Sequence, residues 1–421
     1  MTDRMEPPVP VVAPPHWTEE RERLQSEART FAMEEVLPLA NELDRQKAEI
    51  PRAFLHRLAA MGYFGITIDR QYGGMGLGVF EYCMISEELA RAWMSVGSII
   101  GRANGMGTQF DDPGKRHHLL ERSARGDWIG AAALSEPNAG SDLASVATRA
   151  VLDGDEYVIT GEKRWCGNAK AADFIMLLCR TADPAPGESR SRGLSTIIVE
   201  KERDAFPPGL TGHVIDKIGY HGFLTWNLTF DGVRVPADNL AGASRRRPPG
   251  TDDRAGRPTT WGGSEGRAFK ATQQGLNVAR VHTAARAVGL ARAAVEDCIT
   301  YAQERVQFEH PIADFQAIRF AIAEMAARVE QARAFYQQVA HLIDLGLPAE
   351  RESAMVKLVA TEMAVEVTGQ GIQLHGGNGY TTERAVERHW RDARLTTIFE
   401  GTSQIQQRII SDRLLPRAPL A

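Results

Sequence analysis

The sequence has few cysteines and lacks a long apolar run, and these shortages exclude several classes of protein. Its 421 residues include four cysteines, none in a CxxC pair: Cys83, Cys166, Cys179 and Cys298. Neither a disulfide framework nor a metal site is indicated, so a reducing, cytoplasmic location is expected. The longest strongly apolar run, Phe174 to Cys179, is far too short to span a bilayer.

Basic residues are not in excess either. There are 49 Lys and Arg against 54 Asp and Glu, which gives a formal net charge of −5. This balance argues against a protein built to hold nucleic acid or an anionic membrane. A hydrophobic content of 43% and a charged content of 24% are ordinary for a globular protein with several domains.

Residue patterns divide the chain into five segments. Residues 1–15 are rich in Pro and Val and are predicted to form a disordered tail. Residues 16–130 read as an N-terminal α-helical domain, and residues 131–243 as a domain of short strands. Residues 244–263, which contain three consecutive arginines, are predicted to be a flexible insertion or linker. Residues 264–415 hold long segments without internal proline, which favours a C-terminal helical bundle.

Local signals support these assignments. Thr18 followed by two glutamates predicts a helix start, and Pro51 predicts another. Asp153-Gly154-Asp155 between two Val- and Ile-rich runs predicts a hairpin. The strands are too closely spaced for helical crossovers, which favours an antiparallel barrel or sandwich. The predicted strands are Val146–Leu152, Tyr157–Thr160, Phe174–Cys179, Ser195–Val199 and Thr225–Phe230.

The stretch Phe399-Glu400-Gly401-Thr402 carries the clearest chemical signal. It places one carboxylate just before a predicted helix that runs from Thr402 to about Leu415. An apolar run precedes Glu400 and a glycine follows it, which suits a base that removes a proton from a bound substrate. The commoner role of such an acid is to complement the helix dipole.

Four other stretches could bind a flat or anionic ligand, although each also has a purely structural interpretation. They are the loop Leu134–Asp142, the strand end Gly161–Asn168 with Trp165, the helix end Arg305–Phe308, and the glycine cluster Gln373–Tyr380. The sequence has no Rossmann glycine pattern after a strand and no Walker loop, so NAD and ATP sites are not indicated.

Taken together, these stretches resemble the acyl-CoA dehydrogenases. Ala133–Ser145 is similar to the family's first signature, and Gln373–Asp392 to its second. Phe399–Gln404 stands where the family has its terminal catalytic segment. The resemblance covers residues 18–412. It implies an α+β multidomain fold with an N-terminal α-helical domain, a middle antiparallel β-barrel domain and a C-terminal four-helix bundle.

The resemblance also implies one FAD per subunit in a homotetramer, or a dimer. Matched positions imply flavin or substrate contacts at Leu134, Ser135, Ser141, Trp165, Cys166, Gly167, Thr402 and Gln404. The positions implied to hold the diphosphate and adenosine, largely from a neighbouring subunit, are Arg305, Gln307, Phe308, Phe315, Gln316, Gln373, Gly376 and Gly377.

For the reaction, the resemblance implies α,β-dehydrogenation of an acyl-CoA to the 2-enoyl-CoA, a step of fatty-acid β-oxidation. Glu400 matches the base that removes the α-proton, while flavin N5 accepts the β-hydride. Electrons would pass to an electron-transfer flavoprotein. Some members carry the base on a bundle helix, where this chain has Ala279. Arg280 matches a position near the substrate, and Gly401 leaves space for the thioester.

Two departures from the family pattern are Gly167, where many members have Thr, and the 244–263 insertion. Arg91 and Arg102 lie in the region of the pocket floor, where an inward-pointing arginine could pair with a second substrate carboxylate. The alternatives are an enoyl-thioester reductase, a flavin oxidase or monooxygenase, action on a carrier-protein thioester, and a non-enzymatic nucleic-acid-binding relative.

Overall fold

The computed structural model describes residues 17–241 and 268–415, and for residues 268–274 it describes the main chain only. Within these ranges the predicted order of a helical part, a sheet and a second helical part is confirmed. The predicted tail at 1–15 and the insertion at 244–263 lie outside the described residues. No helix in the described ranges is long and apolar enough to cross a membrane.

The N-terminal part is helical because its apolar residues recur at helical spacing, and side-chain N-caps mark the starts of its first and sixth helices. The Thr18 hydroxyl accepts a hydrogen bond from the Arg21 N–H at 3.2 Å, as the Ser/Thr cap signal predicts. Its helices are α1 Glu19–Phe31, α2 Leu37–Leu43, α3 Arg52–Ala60, α4 Val79–Ala92, α5 Met94–Ile99 and α6 Pro113–Ala124. One π-helical turn, Ala32–Val36, joins α1 to α2.

The middle part is one curled seven-stranded sheet in the order β1-β4-β2-β3-β7-β6, with β5 added beside β4. The strands are β1 Gly130–Ala133, β2 Arg149–Asp153, β3 Glu156–Gly167, β4 Phe174–Arg180, β5 Leu194–Glu200, β6 Leu210–Val214 and β7 Thr225–Pro236. The predicted hairpin joins β2 to β3, where Asp153 faces Glu156 and Gly154 adopts a φ of 67°. Among the described strands β6 does not pair with β1, so the hydrogen-bonded ladder does not close.

Two pairings depart from the antiparallel pattern. β4 runs parallel to β1 and, at one position, parallel to β2. The β2–β3 hairpin lies between β1 and β4 in the chain, and β4 then runs in the same direction as β1. One face of the sheet buries large apolar residues such as Tyr157 and Phe230.

The C-terminal part is built from long helices. They are α7 Ala268–Glu304, α8 Gln316–Asp344, α9 Glu350–His375, α10 Val386–Thr396 and α11 Ser403–Leu414, and the short hairpin β8 Val306–Gln307 with β9 His310–Pro311 joins α7 to α8. Helices α7, α8 and α9 pack on one another, and α10 packs on α7 and α9.

Both helical parts share one hydrophobic core, because α4 packs against α7 and α8. At the crossing of α4 and α7 a Cβ on Gly289 would lie 2.4 Å from the Glu87 carbonyl oxygen, so only glycine permits this approach. Glu87 forms ion pairs with Arg292 of α7 and Arg333 of α8, each with a contact of 2.9 Å. The two helical parts therefore form one packed body, and the sheet is inserted between them in the chain.

Candidate active site

Glu400 lies in a tight turn between α10 and α11 and has an unusual backbone conformation. Its φ of 53° is in the left-handed region, and Gly401 follows with a φ of 90°. For a residue other than glycine this conformation costs about 1–2 kcal/mol. Thr402 ends the turn as the N-cap of α11, where its hydroxyl accepts from the Ile405 N–H at 3.3 Å. Strain held in place by neighbours is typical of functional positions.

Two side chains hold this turn by its carbonyl groups. Lys357 of α9, which is fully buried, donates from Nζ to the Gly401 oxygen at 2.7 Å. Gln406 of α11 donates from Nε2 to the same oxygen at 2.9 Å and to the Glu400 oxygen at 3.2 Å. A Cβ on Gly401 would lie 2.6 Å from that Nε2 atom, so the Gln406 contact requires glycine at this position. We call the hydrogen bonds from Lys357 and Gln406 to the turn the clamp.

The clamp leaves the functional groups of Glu400 free. Within the described residues, neither its carboxylate nor its N–H has a hydrogen-bond partner, and the side chain is half-buried. Arg280 of α7 is buried nearby, donating to the Asn277 side chain at 2.8 Å. Burial lowers the pKa of Arg280, while the negative charge of Glu400 works in the opposite direction. Glu400 therefore presents a carboxylate and an N–H beside a buried cation.

The predicted flavin-contacting residues of the sheet come together at the ends of β1 and β3. The Arg164 N–H donates to the Ser135 carbonyl at 2.8 Å, and Lys163 Nζ donates to the Leu134 carbonyl at 3.0 Å. Trp165 is 55% exposed with a φ of 65°, so its indole projects from the sheet. Ser141, in contrast, lies exposed in the following loop.

Cys166 and Gly167 differ from Trp165 in the direction they face. The Cys166 side chain is fully buried in the core of the sheet, so only its main chain remains for contact with a cofactor. Gly167 is also buried, and a Cβ there would lie 3.0 Å from the Phe223 ring and 3.3 Å from the Arg102 guanidinium.

The second predicted group of residues lies at the other end of α7 and is exposed. Phe308 is 87% exposed, and its ring is 6.1 Å from that of Phe315. Tyr301 of α7 donates to the His375 carbonyl at 3.2 Å, which brings the end of α9 to the same place. The exposed members of this group are Arg305, Gln307, Phe308, Phe315, Gln316, Gln373, Gly376 and Gly377.

The two groups lie at opposite ends of α9. Lys357, which contacts the Glu400 turn, and Gln373 are separated along one continuous helix by about 24 Å, at 1.5 Å per residue. A single chain therefore does not bring Gln373 beside Glu400. Gln404, on the first turn of α11, is exposed next to the turn.

The two arginines of the predicted pocket floor have different environments. Arg91 is buried and bound by Glu296, with contacts of 2.5 and 2.7 Å, so its charge is already satisfied. Arg102 is half-buried, its guanidinium carbon 6.0 Å from the centre of the Phe223 ring. Only Arg102 of the two remains open to a ligand.

Sequence reasoning did not single out Lys357, Gln406 or Lys163. A signal existed for Lys357, because it stands within a series of small residues at helical spacing along α9: Ser353, Lys357, Thr361, Ala364, Thr368 and Gly371. A lysine on such a face needs a specific acceptor. Gln406 and Lys163 carried no comparable signal.

Comparison with known proteins assigns most of the chain to one family. Three family models match in sequence: the acyl-CoA dehydrogenase N-terminal domain at residues 18–127, the middle domain at 131–233 and the C-terminal domain at 266–415.

Curated relatives cover nearly all of the chain. (2S)-methylsuccinyl-CoA dehydrogenase of Cereibacter sphaeroides is 36% identical over 94% of this chain and 70% of its own. A 3-(aryl)acrylate reductase of Clostridium sporogenes is 34% identical over 95% and 99%. The bovine mitochondrial short-chain specific acyl-CoA dehydrogenase is 34% identical over 94% and 90%.

Solved structures agree. Butyryl-CoA dehydrogenase of Megasphaera elsdenii superposes with a TM-score of 0.84 at 30% identity, covering 95% of this chain and 99% of that one. A chain from work on the electron-transferring flavoprotein of Acidaminococcus fermentans gives a TM-score of 0.85 at 32% identity, covering 96% and 100%. The chain belongs to the acyl-CoA dehydrogenases, a family of FAD-dependent oxidoreductases that act on CH–CH donors.

Proposed function

We propose that this protein oxidises an acyl-CoA thioester to the 2-enoyl-CoA, with Glu400 as the base that removes the α-proton. The observation that carries the proposal is the Glu400 turn: a carboxylate without a hydrogen-bond partner among the described residues, held by Lys357 and Gln406. A base must be fixed in place and must also reach its proton without first breaking other bonds.

The side chains suit the FAD that the family carries. Trp165 offers an exposed ring for a flat partner, and Arg305 offers an exposed guanidinium suited to a diphosphate. A Cβ built on Gly376 or Gly377 meets nothing within 4 Å, which leaves the main chain open to a close approach. FAD, when bound, supplies the acceptor for the β-hydride.

The chain's own part in the reaction is proton removal and charge stabilisation. As the α-proton moves to the Glu400 carboxylate, negative charge develops on the thioester oxygen. The Glu400 N–H lacks an acceptor among the described residues and can donate to that oxygen. Such a preorganised donor lowers the barrier by about 3–4 kcal/mol. Gly401 leaves space for the thioester.

An oligomer would complete the cofactor site. The exposed residues Phe308, Gln373 and Gly377 lie far along α7 and α9 from Glu400, so they would serve the site of another subunit. Large exposed apolar side chains on the C-terminal part, including Phe320 at 64% and Tyr380 at 89%, favour burial against a second copy. We propose a homotetramer, or a dimer. The insertion at 244–263 lies outside the described residues and enters no step of this proposal.

An electron-transfer flavoprotein is the proposed acceptor of electrons, supported by the solved chain from work on such a protein. Four free, buried cysteines suit a reducing cytoplasm, where we propose the protein acts.

A reductase is the second candidate. Two relatives at 34% and 36% identity are named 3-(aryl)acrylate reductase and acryloyl-CoA reductase (NADH). The same Glu400 would then return a proton to Cα. A dehydrogenase oxidises the saturated thioester, whereas a reductase reduces the unsaturated one, so assays with both thioesters distinguish the two functions.

The test is anaerobic bleaching of the purified yellow protein with linear, branched, aromatic and dicarboxylic acyl-CoAs. At least one saturated thioester should bleach the flavin and yield the 2-enoyl product. Bleaching by none of them, with oxidation of the reduced protein by enoyl-CoAs, would replace the dehydrogenase with the reductase.

Lys357 is expected to make the active site sensitive to pH near neutrality. Burial lowers the pKa of Lys357 to about 7, although the negative charges of Glu400 and Glu362 act to raise it. Between pH 7 and the ordinary value of 10.5, the unfolded chain holds a proton that the folded chain has released, so the free energy of unfolding rises with pH in this window. Lys357→Met should remove the contribution of one proton to that slope, about 1.4 kcal/mol per pH unit. Lys201 and Lys217, whose pKa values burial lowers to about 8, still contribute above that pH.

Below pH 7, where Lys357 is charged, the same variant should also lower kcat/KM by roughly 10- to 100-fold, because a hydrogen bond to a charged donor contributes about 1.5–3 kcal/mol. The measurements are urea unfolding and kcat/KM from pH 6 to pH 10. Identical pH profiles for both proteins would show that Lys357 is not the titrating group. The exposed Lys170 is the matched site for a Lys→Met control.

Gly167→Thr is expected to raise the flavin reduction potential by about 20 mV. The Phe223 ring, 3.0 Å from a Cβ at this position, must move slightly. A hydroxyl donor at the flavin edge stabilises the electron-rich reduced form by about 1 kcal/mol, which converts to about 20 mV for a two-electron couple. Gly167→Ala adds the same Cβ without the hydroxyl and should leave the potential unchanged. Equal potentials for the Thr and Ala variants would contradict the hydroxyl effect.

A further inference from the structure

A cluster of polar side chains lies next to the ring of Phe399, beside the catalytic turn, and has no part in the proton transfer described above. This arginine cluster consists of Tyr82, Ser98, Arg102, His282 and Arg286. The guanidinium carbon of Arg286 is 5.1 Å from the centre of the Phe399 ring, and the Arg286 residue is only 3% exposed.

The charge of Arg286 has no anionic partner in the described parts of the chain. Its guanidinium donates to the Ser98 hydroxyl at 2.5 Å, the Thr283 hydroxyl at 2.9 Å and the His282 carbonyl at 3.4 Å. All three acceptors are neutral. Arginine does not deprotonate in proteins, and a buried charge without a counter-charge is costly.

The neighbours of Arg286 cannot supply the missing negative charge. Burial lowers the pKa of His282 well below its usual range, and the charge of Arg286 lowers it further, so the imidazole is neutral. His282 Nε2 lies 3.0 Å from the Gly97 carbonyl and therefore carries the proton, which leaves Nδ1 to accept from the Tyr82 hydroxyl at 3.2 Å. Burial raises the pKa of Tyr82, so its phenol also stays neutral.

Arg102 adds a second positive charge to the same region. It forms no ion pair with any described residue, and its guanidinium lies near Phe223 and Gly167. The Tyr82 ring stacks on His282 with the ring centres 4.4 Å apart, and Arg286 borders Phe399, so the cluster lies beside the catalytic turn. Glu400 is the acid of that turn, and Arg280 and Lys357 already lie beside it.

We propose that the arginine cluster binds a carboxylate at the far end of the acyl chain, so that the substrate is the thioester of a short dicarboxylic acid. This inference rests on the proposed function. The guanidinium fork matches a carboxylate, and the Ser98 hydroxyl stands beside it.

The position of the cluster selects the acyl group as its ligand. Arg286 is nearly sealed from solvent and borders Phe399, which immediately precedes the base. A nearly buried position next to the base favours a small anion carried by the acyl chain over the bulky phosphates of the thioester carrier. The guanidinium of Arg286 borders the ring of Phe399, one residue before the base, so a short acyl chain suits the site.

The test compares thioesters of equal carbon number. Glutaryl-CoA against pentanoyl-CoA, and succinyl-CoA against butanoyl-CoA, are each mixed anaerobically with the FAD-loaded protein, and the rate of flavin reduction per concentration is measured. At least one dicarboxylic member should exceed its partner by about 100-fold, because a buried charge pair discriminates strongly. Arg286→Gln should reduce that ratio by about 100-fold, and the exposed Arg125→Gln should retain it.

The outcomes separate the inference from the proposed function. Reduction by the monocarboxylic thioesters at equal or higher rates would overturn the inference and support the dehydrogenase. If none of the four thioesters reduces the flavin, the inference falls, and the wider acyl-CoA panel decides the function independently. Should Arg286→Gln fail to retain flavin, calorimetric binding of glutaryl-CoA and pentanoyl-CoA to the unaltered protein decides. Equal affinities would also overturn the inference.

Discussion

Replacing Glu400 with Gln is expected to slow flavin reduction by about 10³- to 10⁴-fold, the upper part of the range for a general base. Glutamine keeps the size of the side chain and its left-handed backbone, but its amide cannot take the α-proton. The carbonyl contacts from Lys357 and Gln406 remain, so the turn keeps its shape. The yellow colour of bound flavin should be unchanged.

Two measurements on the Glu400→Gln protein define the result. Stopped-flow reduction by the best acyl-CoA gives the rate, and exchange of the α-proton with deuterated solvent reports the base directly. Glu362→Gln is the matched control, because this exposed acid also lies near Lys357 and contacts the Ser403 hydroxyl. Rapid α-proton exchange in the Glu400 variant would sink the mechanism.

Lys163→Met is expected to lower the free energy of unfolding by about 3–5 kcal/mol, the cost of removing one partner from a buried ion pair. Lys163 is fully buried and donates to Glu136 at 2.9 Å. Burial alone would raise the pKa of Glu136, but Lys163, Thr148 and the Ala147 N–H outweigh burial and lower it. The variant leaves that carboxylate without its cation and frees the Leu134 carbonyl.

The pH dependence gives a second check. A carboxyl with a lowered folded pKa contributes stability above its unfolded value of 4.5, and the contribution is lost as pH falls through the folded pKa. The difference between the two proteins should therefore be largest near neutrality and shrink in acid. Adding Glu136→Gln to Lys163→Met should restore part of the stability. A single-variant loss below about 1 kcal/mol would place the pair among those of little consequence.

Local signals in the sequence predicted the helices and one hairpin well. The hydroxyl cap at Thr18 and the turn at Gly154 depend on neighbours a few residues away. β1 was missed because it is a four-residue run of Gly and Ala, and its parallel partner begins 44 residues later at Phe174, opposite Gly130. β6 was missed because Gly212 and His213 interrupt its apolar pattern.

The site was predictable to the extent that it lies in compact motifs. Glu400 and the Trp165 strand end stand in contiguous stretches whose residue types carry the signal. Lys357 and Arg286 act through partners far away in the sequence, so their roles emerge only once the helices are packed. Arg91 was proposed as a ligand contact, but its charge is paired with Glu296, which lies 205 positions away in the sequence and could not be identified as its partner.

The shared core of α4 and α7 has a consequence for synthesis of the chain. Glu87 and Arg292, which meet across this contact, are 205 positions apart. At a synthesis rate of about 5–20 residues per second, roughly 10–40 s pass between the emergence of one partner and the other. During that interval the apolar surface of α4 is exposed because α7 has not yet been synthesised, whereas the sheet, which lies between α4 and α7 in the chain, can already fold. We therefore expect the first third of the nascent chain to need protection from aggregation that the folded protein does not need.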